Sequence, residues 1–399
     1  MFQSLESLGA DPILGLMAAY RADSHPQKID LGIGVYKDAQ GRTPIMAAVK
    51  EAEKQILASQ VTKAYVGPEG DPRYNDLVAN LLLGNETVES LKGRRCTVQT
   101  PGGCGGLRLA AEFIKKARPD ARIWVSDPTW PNHVPLLGAA GLKIESYPYY
   151  NHQEHVICFD RMMDALQEAN SNDLVLLHGC CHNPCGADLS NEQWRQLKDL
   201  ALKNGFTVFI DLAYQGLGDG LIEDVYGVRL MAQSLPELIV VSSCSKNFGL
   251  YRERTGALTV MCESPDALPA IESQVAAIAR GIYSMPPDHG AAIVQLILST
   301  PELKSSWDHE LTEMRDRING LRSLFVSRMK QAGIEQDFNF IQREKGMFSF
   351  LGISVEQVAT LVRDYSIYLV NSSRINVAGI NENNIDYLID ALGKVLESR

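Results

Sequence analysis

The chain has 399 residues, of which 45% are hydrophobic and 22% charged, a composition that is ordinary for a soluble globular protein. This length is enough for two or three domains, or for one large core with a smaller lobe. The formal net charge is -10, with 48 Asp and Glu against 38 Lys and Arg, which argues against a nucleic-acid-binding surface because such surfaces need clustered basic side chains.

The first residues and the cysteines bear on where the protein works. Residues 1–6 lack the basic start and continuous apolar core of a signal peptide, and no apolar run is long enough to span a bilayer. Eight cysteines in a chain of this length do not suggest a disulfide framework, and several lie in or beside apolar strands. We therefore expect a cytoplasmic protein with reduced thiols and no membrane contact.

The predicted elements begin with an N-terminal arm. The apolar segment 11–16 is too short to fold alone, so we expect it to pack on another part of the protein. Residues 28–35 predict a strand whose glycines, Gly34 among them, allow a ligand or a neighbouring segment to approach closely. Pro44 is expected to start a helix that ends near residue 55, since proline costs little in a first turn, and another helix is expected to start near Pro72.

The middle of the chain alternates between two kinds of element. Short apolar runs predict strands over 96–100, 122–125, 174–177, 207–210 and 238–241. Helical runs follow at 107–117 and, behind the N-cap Ser190, at 191–203. From residue 266 helical periodicity dominates, with predicted helices over 301–330, 355–364 and 382–396 and short strands over 347–350 and 367–370. The alternation predicts a mainly parallel sheet covered on both faces.

The segment 242–256 follows the predicted strand 238–241, so its polar residues emerge where a buried strand ends. Ends of parallel strands are where α/β enzymes place their chemistry. One lysine, Lys246, lies among small hydroxyl residues and is followed by Arg254. This pattern suits a Schiff-base lysine beside a bound phosphate, because Arg254 and the Ser243 hydroxyl can bind an anion. An ordinary charged surface loop is the alternative.

Two further stretches carry polar groups at strand ends. The glycine-rich turn 102–106 would favour a phosphate through its N–H groups and the helix dipole, but it lacks the ending of a P-loop and equally suits a tight structural turn. At another strand end, the Asp211 carboxylate can hold a protonated ring nitrogen, and the Tyr214 phenol can donate to an oxygen on the same ring. Alternatively, Asp211 caps a turn and Tyr214 packs on the surface.

The segment 178–186 contains three cysteines and two histidines, which raises the possibility of zinc bound by Cys180, Cys181, His182 and Cys185. Adjacent cysteines point in opposite directions on a strand and no paired C-x-x-C follows, so we expect no metal. A turn that presents the Asn183 amide fits this segment better. Arg374 and Arg280 could each bind a carboxylate bidentately or could be ordinary surface charges.

In their order along the chain, these stretches resemble the fold-type I pyridoxal-phosphate enzymes, and closely the class I aspartate and aromatic aminotransferases. The resemblance covers nearly the whole chain and is carried by 11–16, 65–67, 130–133, 178–186, 211–216, 245–249 and 374–379. It implies an α/β fold with a mainly parallel seven-stranded sheet flanked by helices, and a smaller α/β domain. The implied boundaries are 1–43 for an N-terminal arm with part of the small domain, 44–312 for the large cofactor-binding domain and 313–399 for the C-terminal small domain.

The resemblance also implies how pyridoxal 5'-phosphate is held. Lys246 would bind it covalently and move a proton at the substrate Cα, while Asp211, hydrogen-bonded by His133, would keep the ring nitrogen protonated. Tyr214 and Asn183 would bind the phenolic oxygen of the ring, and Trp130 would stack on it. The phosphate would be bound by Arg254, Ser243, the backbone around Gly103 and Cys104, and Tyr65 of the partner subunit.

For the substrate, Arg374 is similar to the arginine that binds the α-carboxylate, with Gly34 and Phe348 nearby and Trp130 and Asn183 also in contact. Arg280 of the partner subunit resembles the residue that binds the distal carboxylate of aspartate or glutamate. Sites shared in this way imply an obligate homodimer. Three positions depart from the usual pattern, Cys104, Met285 and Ala64, whereas Val35, Lys37 and Thr43 resemble the aspartate branch.

We therefore expect a transaminase that moves the amino group of L-aspartate to 2-oxoglutarate by a ping-pong mechanism. An aromatic-amino-acid aminotransferase is the runner-up, since larger apolar surface near the pocket favours aromatic side chains. A cofactor-binding protein without turnover, or a zinc module built on the 178–186 segment, are the alternatives from other classes. Retention of Lys246, Asp211 and Arg374 weighs against a protein without turnover, because binding alone does not need a proton-shuttling lysine.

Overall fold

The protein divides into two compact units. The computed structural model describes residues 2–7 and 12–397, so Asp11, at the start of the apolar segment 11–16, lies outside the described residues. The smaller unit comprises residues 1–43 and 317–399, and the larger unit comprises residues 44–316.

Helices and strands alternate along most of the chain. The α-helices are α1 (Pro12–Ala22), α2 (Ala47–Ser59), α3 (Pro72–Leu83), α4 (Asn85–Ser90), α5 (Gly102–Ala117), α6 (His133–Gly138), α7 (Phe159–Leu166), α8 (Asn191–Asn204), α9 (Tyr226–Ser234), α10 (Leu268–Ile282), α11 (Asp288–Ser299), α12 (Pro301–Gln331), α13 (Asn339–Arg343), α14 (Val355–Tyr365) and α15 (Ile385–Glu397). The strands are β1 (Ile29–Asp30), β2 (Arg95–Pro101), β3 (Arg122–Asp127), β4 (Lys143–Pro148), β5 (Tyr150–Asn151), β6 (Val156–Ile157), β7 (Leu174–His178), β8 (Thr207–Leu212), β9 (Leu238–Ser243), β10 (Thr255–Met261), β11 (Phe348–Phe350), β12 (Ile367–Tyr368) and β13 (Arg374–Asn376). Within the described ranges, none of the helices combines the length and the apolar character that a membrane crossing requires.

The larger unit is built on one seven-stranded sheet with the strand order β2-β10-β9-β8-β7-β3-β4. The strands from β9 to β4 in this order run parallel, and β10 is antiparallel to both of its neighbours. Every residue of β8, β9 and β10 is buried, which is typical of central strands with both faces covered. The prediction of a mainly parallel seven-stranded sheet flanked by helices is therefore confirmed.

Several predicted helices begin at residues whose side chains satisfy free N–H groups. The Asp71 side chain accepts a hydrogen bond from the N–H of Tyr74 at the start of α3, where Pro72 is the first helical residue. Ser190 and Gln193 form a reciprocal capping box at the start of α8. Caps of this kind contribute about 1 kcal/mol each to stability, which is why local sequence predicts these helix starts well.

Three predictions of local structure were wrong in extent, and two strands were missed. The strand predicted over 28–35 is only Ile29–Asp30, because the Asp30 carboxylate accepts from the N–H groups of Gly32 and Ile33 and turns the chain. The helix predicted from Pro44 starts at Ala47, where Glu310 of α12 accepts its N–H. The predicted glycine turn 102–106 is itself the first turn of α5, and strands β4 and β10 were missed.

The smaller unit has its own apolar core and two short sheets. Strand β1 pairs in parallel with β12, and β11 pairs with β13 in antiparallel register, Phe350 opposite Arg374. The buried Arg322 guanidinium donates to the carbonyls of Ile341, Gly346 and Phe348, at 2.8, 3.0 and 2.6 Å. Because a buried charge is costly unless its hydrogen bonds are satisfied, these bonds fix the backbone of β11 in one position.

Candidate active site

The carboxyl ends of strands β7, β8 and β9 bring predicted site residues to one edge of the sheet. His178 pairs with Asp211, and Leu212 pairs with Ser242, so the three strands end at the same level. Lys246 follows shortly after the end of β9. The predicted cofactor residues of the larger unit thus start from adjacent strands, at the edge where open parallel sheets bind ligands.

The Lys246 amine lies against an aromatic ring. Its Nζ is 4.8 Å from the centroid of the Tyr214 ring. Burial lowers the pKa of Lys246, and Arg254 acts in the same direction, while Asp211 and Cys104 oppose the shift. A lowered pKa increases the neutral fraction of the amine, which is the form that attacks a carbonyl carbon.

Asp211 is a buried carboxylate with a histidine partner. Its Oδ2 accepts a hydrogen bond from Nε2 of the fully buried His133 at 2.9 Å, and because an ionised carboxylate only accepts, Nε2 must carry a proton. Burial alone would raise the pKa of Asp211, but the His133 bond and the nearby Lys246 amine lower it below its usual value. Asp211 therefore stays ionised and can hold a cationic group such as a protonated ring nitrogen.

Behind His133 lies a row of neutral polar and aromatic groups that sequence reasoning did not assign to the site. Thr129 Oγ1 lies 2.8 Å from Nδ1 of His133 and 3.2 Å from Nε2 of His178. The ring centroids of His178 and His182 are 3.9 Å apart. Burial lowers the pKa of His178 to about 3 and that of His182 well below its usual range. These groups therefore hold His133 in place by packing and hydrogen bonding. The sequence feature that could have indicated them is His178, which lies at the end of β7 opposite Asp211.

The N-terminus of α5 forms an anion cradle. A Cβ on Gly102 would lie 2.5 Å from Nη2 of Arg254, and a Cβ on Gly103 would lie 3.3 Å from the Cβ of Ser243, so glycine is needed for these side chains to approach. Gly102 also has a positive φ of 68°, which glycine adopts readily. The N–H groups of the first turn, a guanidinium and a hydroxyl make a donor set that suits a phosphate.

Cys104 lies in the same first turn of α5. Its Sγ accepts a hydrogen bond from the Asn132 side-chain amide at 3.6 Å. Burial raises the pKa of the Cys104 thiol, and Arg254 opposes this shift without cancelling it. The thiol is therefore protonated at neutral pH and adds no negative charge to the anion cradle.

Three further predicted residues follow strands that are adjacent in the sheet. Asn183 comes after β7 and Tyr214 after β8, and both are buried, with 6% and 5% of their surface exposed. Trp130 comes after β3, and its ring lies edge-to-face to His133 with centroids 5.2 Å apart. The structure therefore places these three residues at the same edge of the sheet as Asp211.

In the smaller unit, the structure brings three predicted substrate residues together. The Arg374 Cζ lies 4.4 Å from the centroid of the Phe348 ring, and its Nη2 donates to the carbonyl of Gly32 at 2.8 Å. A Cβ on Gly34 would lie 2.9 Å from the Phe348 Cζ, so this position needs glycine. The result is a buried, stacked guanidinium held in one orientation, which suits bidentate binding of a carboxylate.

Tyr65 and Arg280 lie on the surface of the larger unit. Tyr65 is 89% exposed. Arg280 is exposed on the last turn of α10, and its Nη1 donates to Ser284 Oγ at 2.5 Å. The structure of one chain thus leaves both residues available to another molecule.

The cysteines and histidines of the 178–186 segment are divided between two places. Over the described residues, one group of three or more close metal-ligand atoms exists, formed by Cys180, Cys181 and Asp224. His182 Nδ1 instead lies 3.2 Å from Cys185 Sγ. The set of four that a zinc module would need is therefore not assembled.

The comparison with known proteins agrees with this geometry. The sequence profile of the family described as aminotransferase class I and II matches residues 26–392. An aspartate aminotransferase of Haemophilus influenzae is 48% identical over 99% of this chain and 100% of its own length, and an aromatic-amino-acid aminotransferase of Pseudomonas aeruginosa is 46% identical over 99% and 98%. The crystal structure of an aromatic-amino-acid aminotransferase from Burkholderia pseudomallei, covalently bound to pyridoxal phosphate, superposes with a TM-score of 0.97 at 41% identity over 99% of both chains.

The chain therefore belongs to the class I and II aminotransferase family. It is a pyridoxal-phosphate-dependent aminotransferase, and the predictions of its family, fold class and cofactor are confirmed. The residues present fit the cofactor, because the cradle at Gly102 and Gly103, the ionised Asp211 and the low-pKa Lys246 amine offer a phosphate site, a ring-nitrogen partner and an attacking amine.

Proposed function

We propose that the protein transfers the amino group of L-aspartate to 2-oxoglutarate in two half-reactions. The observation that carries the proposal is the Lys246 amine, whose pKa is lowered, at the same sheet edge as the ionised Asp211 and the anion cradle. The exposed Arg280 and the 48% identity to a relative named aspartate aminotransferase support a dicarboxylic donor.

Each residue of the larger unit has a proposed task. When bound, the cofactor supplies an electron sink for the electrons released at the substrate Cα. Lys246 binds the cofactor and then removes the proton from Cα, and its lowered pKa favours the neutral amine that can accept this proton. Asp211, held by His133, keeps the ring nitrogen protonated. The remaining residues bind and orient the cofactor: Asn183 and Tyr214 at the phenolic oxygen, Trp130 over the ring, and Ser243, Arg254, Gly103 and Cys104 at the phosphate.

Two arginines have proposed tasks toward the substrate. Arg374 binds the α-carboxylate, which its stacking on Phe348 and its bond to Gly32 support by fixing the plane of the guanidinium. Arg280 of the partner subunit binds the distal carboxylate. Pairing of this kind selects for a dicarboxylate, because an uncharged analogue would leave the Arg280 guanidinium without its carboxylate.

We infer that the protein acts as a homodimer with shared sites. Leu57, Val61 and Tyr65 are 86%, 97% and 89% exposed in the single chain, and large exposed apolar side chains mark interaction surfaces. Sedimentation of the purified protein should give about twice the 44.0 kDa chain mass. A fully active monomer would contradict the shared site.

A cytoplasmic location is also proposed. It is supported by eight free cysteines, most of them buried, which is usual for proteins kept in a reducing compartment. Recovery of the protein in the secreted fraction of its source cells would overturn this location.

An aromatic-amino-acid aminotransferase is the second candidate. The 46% identity to a relative of that name, nearly as high as the match to the aspartate enzyme, favours it. Met285, close in sequence to Arg280, would add apolar surface for an aromatic side chain.

The two candidates separate in a single half-reaction. Loaded protein is mixed with L-aspartate or with L-phenylalanine, and the loss of the absorbance band of the lysine-bound cofactor is followed. Fast loss with aspartate alone supports the first candidate, and comparable rates support a broad enzyme. No loss with either donor would overturn both.

The Arg280→Ala variant tests the origin of the preference. We expect the rate with aspartate to fall by an amount that corresponds to about 2–5 kcal/mol, the cost of breaking a desolvated charge pair, with little change for phenylalanine. Arg363→Ala, which removes an exposed arginine paired with Asp364, is the matched control and should change neither rate. Equal losses with both donors would contradict the role of Arg280.

A further inference from the structure

A carboxylate accepts hydrogen bonds from the backbone of the turn that carries Asn183. Asp188 is partly buried, and its Oδ2 accepts a hydrogen bond from the N–H of Cys181 at 2.6 Å. Its Oδ1 accepts from the N–H of His182 at 2.8 Å. Both oxygens therefore bind the two residues that immediately precede Asn183, and no local secondary structure supplies these bonds.

The loop that carries Tyr214 is held in the same way. The buried Asp224 accepts from the N–H groups of Gly216 and Gly218 through Oδ2, at 2.8 and 2.9 Å. Its Oδ1 accepts from the N–H of Asp219 at 2.8 Å and, more weakly, from that of Gly220 at 3.4 Å. One side chain thus replaces the hydrogen-bond partners that an irregular buried loop otherwise lacks.

The Asn183 turn and the Tyr214 loop lie close together at Gly218. A Cβ on Gly218 would lie 2.6 Å from Oδ1 of Asp224 and 3.2 Å from Sγ of Cys181, so Gly218 allows the Asn183 turn to pack on the Tyr214 loop. Cys181 itself has a positive φ of 50°, an uncommon conformation for a residue other than glycine. The bonds to its N–H and to the next N–H offset this strain.

We propose that Asp188 and Asp224, the carboxylate brace, are positioning residues that fix Asn183 and Tyr214 for binding the phenolic oxygen of the cofactor. Neither carboxylate is assigned a contact with the cofactor, and both act through backbone N–H groups. The inference rests on the proposed function, because the tasks of Asn183 and Tyr214 come from it.

The charges around the brace make it sensitive to acid. Burial raises the pKa of Asp188 to about 6, with Asp224 and Asp219 acting in the same direction and the two N–H bonds opposing it. Burial also raises the pKa of Asp224. The Cys180 thiol and the Tyr149 phenol also interact with Asp188, and the pKa values of both are raised well above their usual ranges, so both are neutral.

The sign of the pH effect follows from the raised pKa of Asp188. Opening of the Asn183 turn that exposes Asp188 to water returns the carboxyl toward its usual pKa, so the closed turn binds the proton more tightly than the open turn does. The turn therefore opens most readily when Asp188 is ionised, and opening becomes rarer as the pH falls through the Asp188 pKa of about 6.

The first test uses hydrogen exchange of the cofactor-free protein, full length, with the variant Asp188→Asn. The amides of Cys181 and His182 should exchange about tenfold faster or more than in the unmodified protein, because one of their acceptors is lost. Asp199→Asn, which changes an exposed aspartate on α8, is the matched control and should leave them unchanged. Equal acceleration in both variants would overturn the brace.

The second test asks whether the brace works through Asn183. In the loaded protein, Asn183→Ala should raise the apparent pKa at which the cofactor absorbance changes, because a donor to the deprotonated oxygen is lost. Asp188→Asn should raise it in the same direction, and the double variant should add nothing further. Faster exchange with no shift in Asp188→Asn would leave a merely structural role and overturn the proposal.

The failures are distinguishable. No shift in Asn183→Ala would overturn the proposed task of Asn183, whereas a shift in Asn183→Ala without one in Asp188→Asn would overturn the brace. If Asp188→Asn does not fold, the unmodified protein suffices, since opening of the Cys181 and His182 amides exposes Asp188, and their exchange, corrected for intrinsic rates, should slow as the pH falls through about 6. Constant corrected rates between pH 7 and pH 5 would contradict the proposal.

Discussion

A buried aspartate lies at each end of the strands of the large sheet, one at their amino ends (the amino edge) and one at their carboxyl ends (the carboxyl edge). The two aspartates have different partners. At the amino edge, Asp173 binds Arg122 through two hydrogen bonds of 2.9 and 2.7 Å and also accepts from the N–H of Asn170 at 3.0 Å. At the carboxyl edge, Asp211 has one side-chain hydrogen bond, from His133, among the residues that the structure describes. A bidentate ion pair satisfies a carboxylate, whereas a less satisfied buried carboxylate retains capacity for a ligand.

The basic side chains at the two edges also have different surroundings. At the amino edge, the Arg118 guanidinium lies 3.5 Å from the Glu237 carboxylate. At the carboxyl edge, the Lys246 amine lies over the ring of Tyr214, and its pKa is lowered. The comparison shows that the sheet stabilises its charges at one end and keeps them reactive at the other.

The largest effect is expected from Asp211→Asn, which removes the charge at the carboxyl edge. Turnover with L-aspartate and 2-oxoglutarate should fall by about 10²–10³-fold, because a preorganised charge at the reacting group is lost. The stability of the fold should fall only modestly, because the N–H of His133 can still donate to the amide oxygen of the variant. If turnover, measured at saturating cofactor, stayed within tenfold of that of the unmodified enzyme, the proposed difference between the two edges would be wrong.

A smaller effect on turnover, and a larger one on stability, is expected from Asp173→Asn at the amino edge. The free energy of unfolding should fall by about 1–3 kcal/mol, because Arg122 and the buried amide are left poorly paired. Turnover should stay within about twofold, since this edge carries none of the proposed site residues. Urea unfolding and steady-state kinetics on the same preparation measure both, and lost turnover at unchanged stability would contradict the division between the edges.

Much of this architecture could be predicted from local sequence, and the exceptions have physical causes. The strand before Lys246 and the cap at Ser190 depend on neighbouring residues, so the pattern alone indicated them. The early end of β1 depends on the Asp30 side chain competing for backbone N–H groups, and the start of α2 depends on Glu310, which lies far along the chain. The cap from Glu310 is distant in sequence and leaves no local pattern.

The residues of the candidate site also divide into those that the sequence indicates and those that only the fold shows. Lys246, Asp211 and Arg254 were recognisable from residue type at strand ends and from the resemblance. The brace residues Asp188 and Asp224 were not, because each is an aspartate in a loop, where this residue type is common, and only the fold shows which N–H groups it binds.

The central claim is that the carboxyl edge holds the cofactor through Lys246, and reductive trapping tests it most directly. Loaded protein is treated with borohydride, digested and analysed by mass spectrometry, with Lys246→Ala as the control. The account predicts the added cofactor mass on the peptide that contains Lys246, and none in the control. Cofactor mass on a different lysine, or equal labelling of the control, would contradict it.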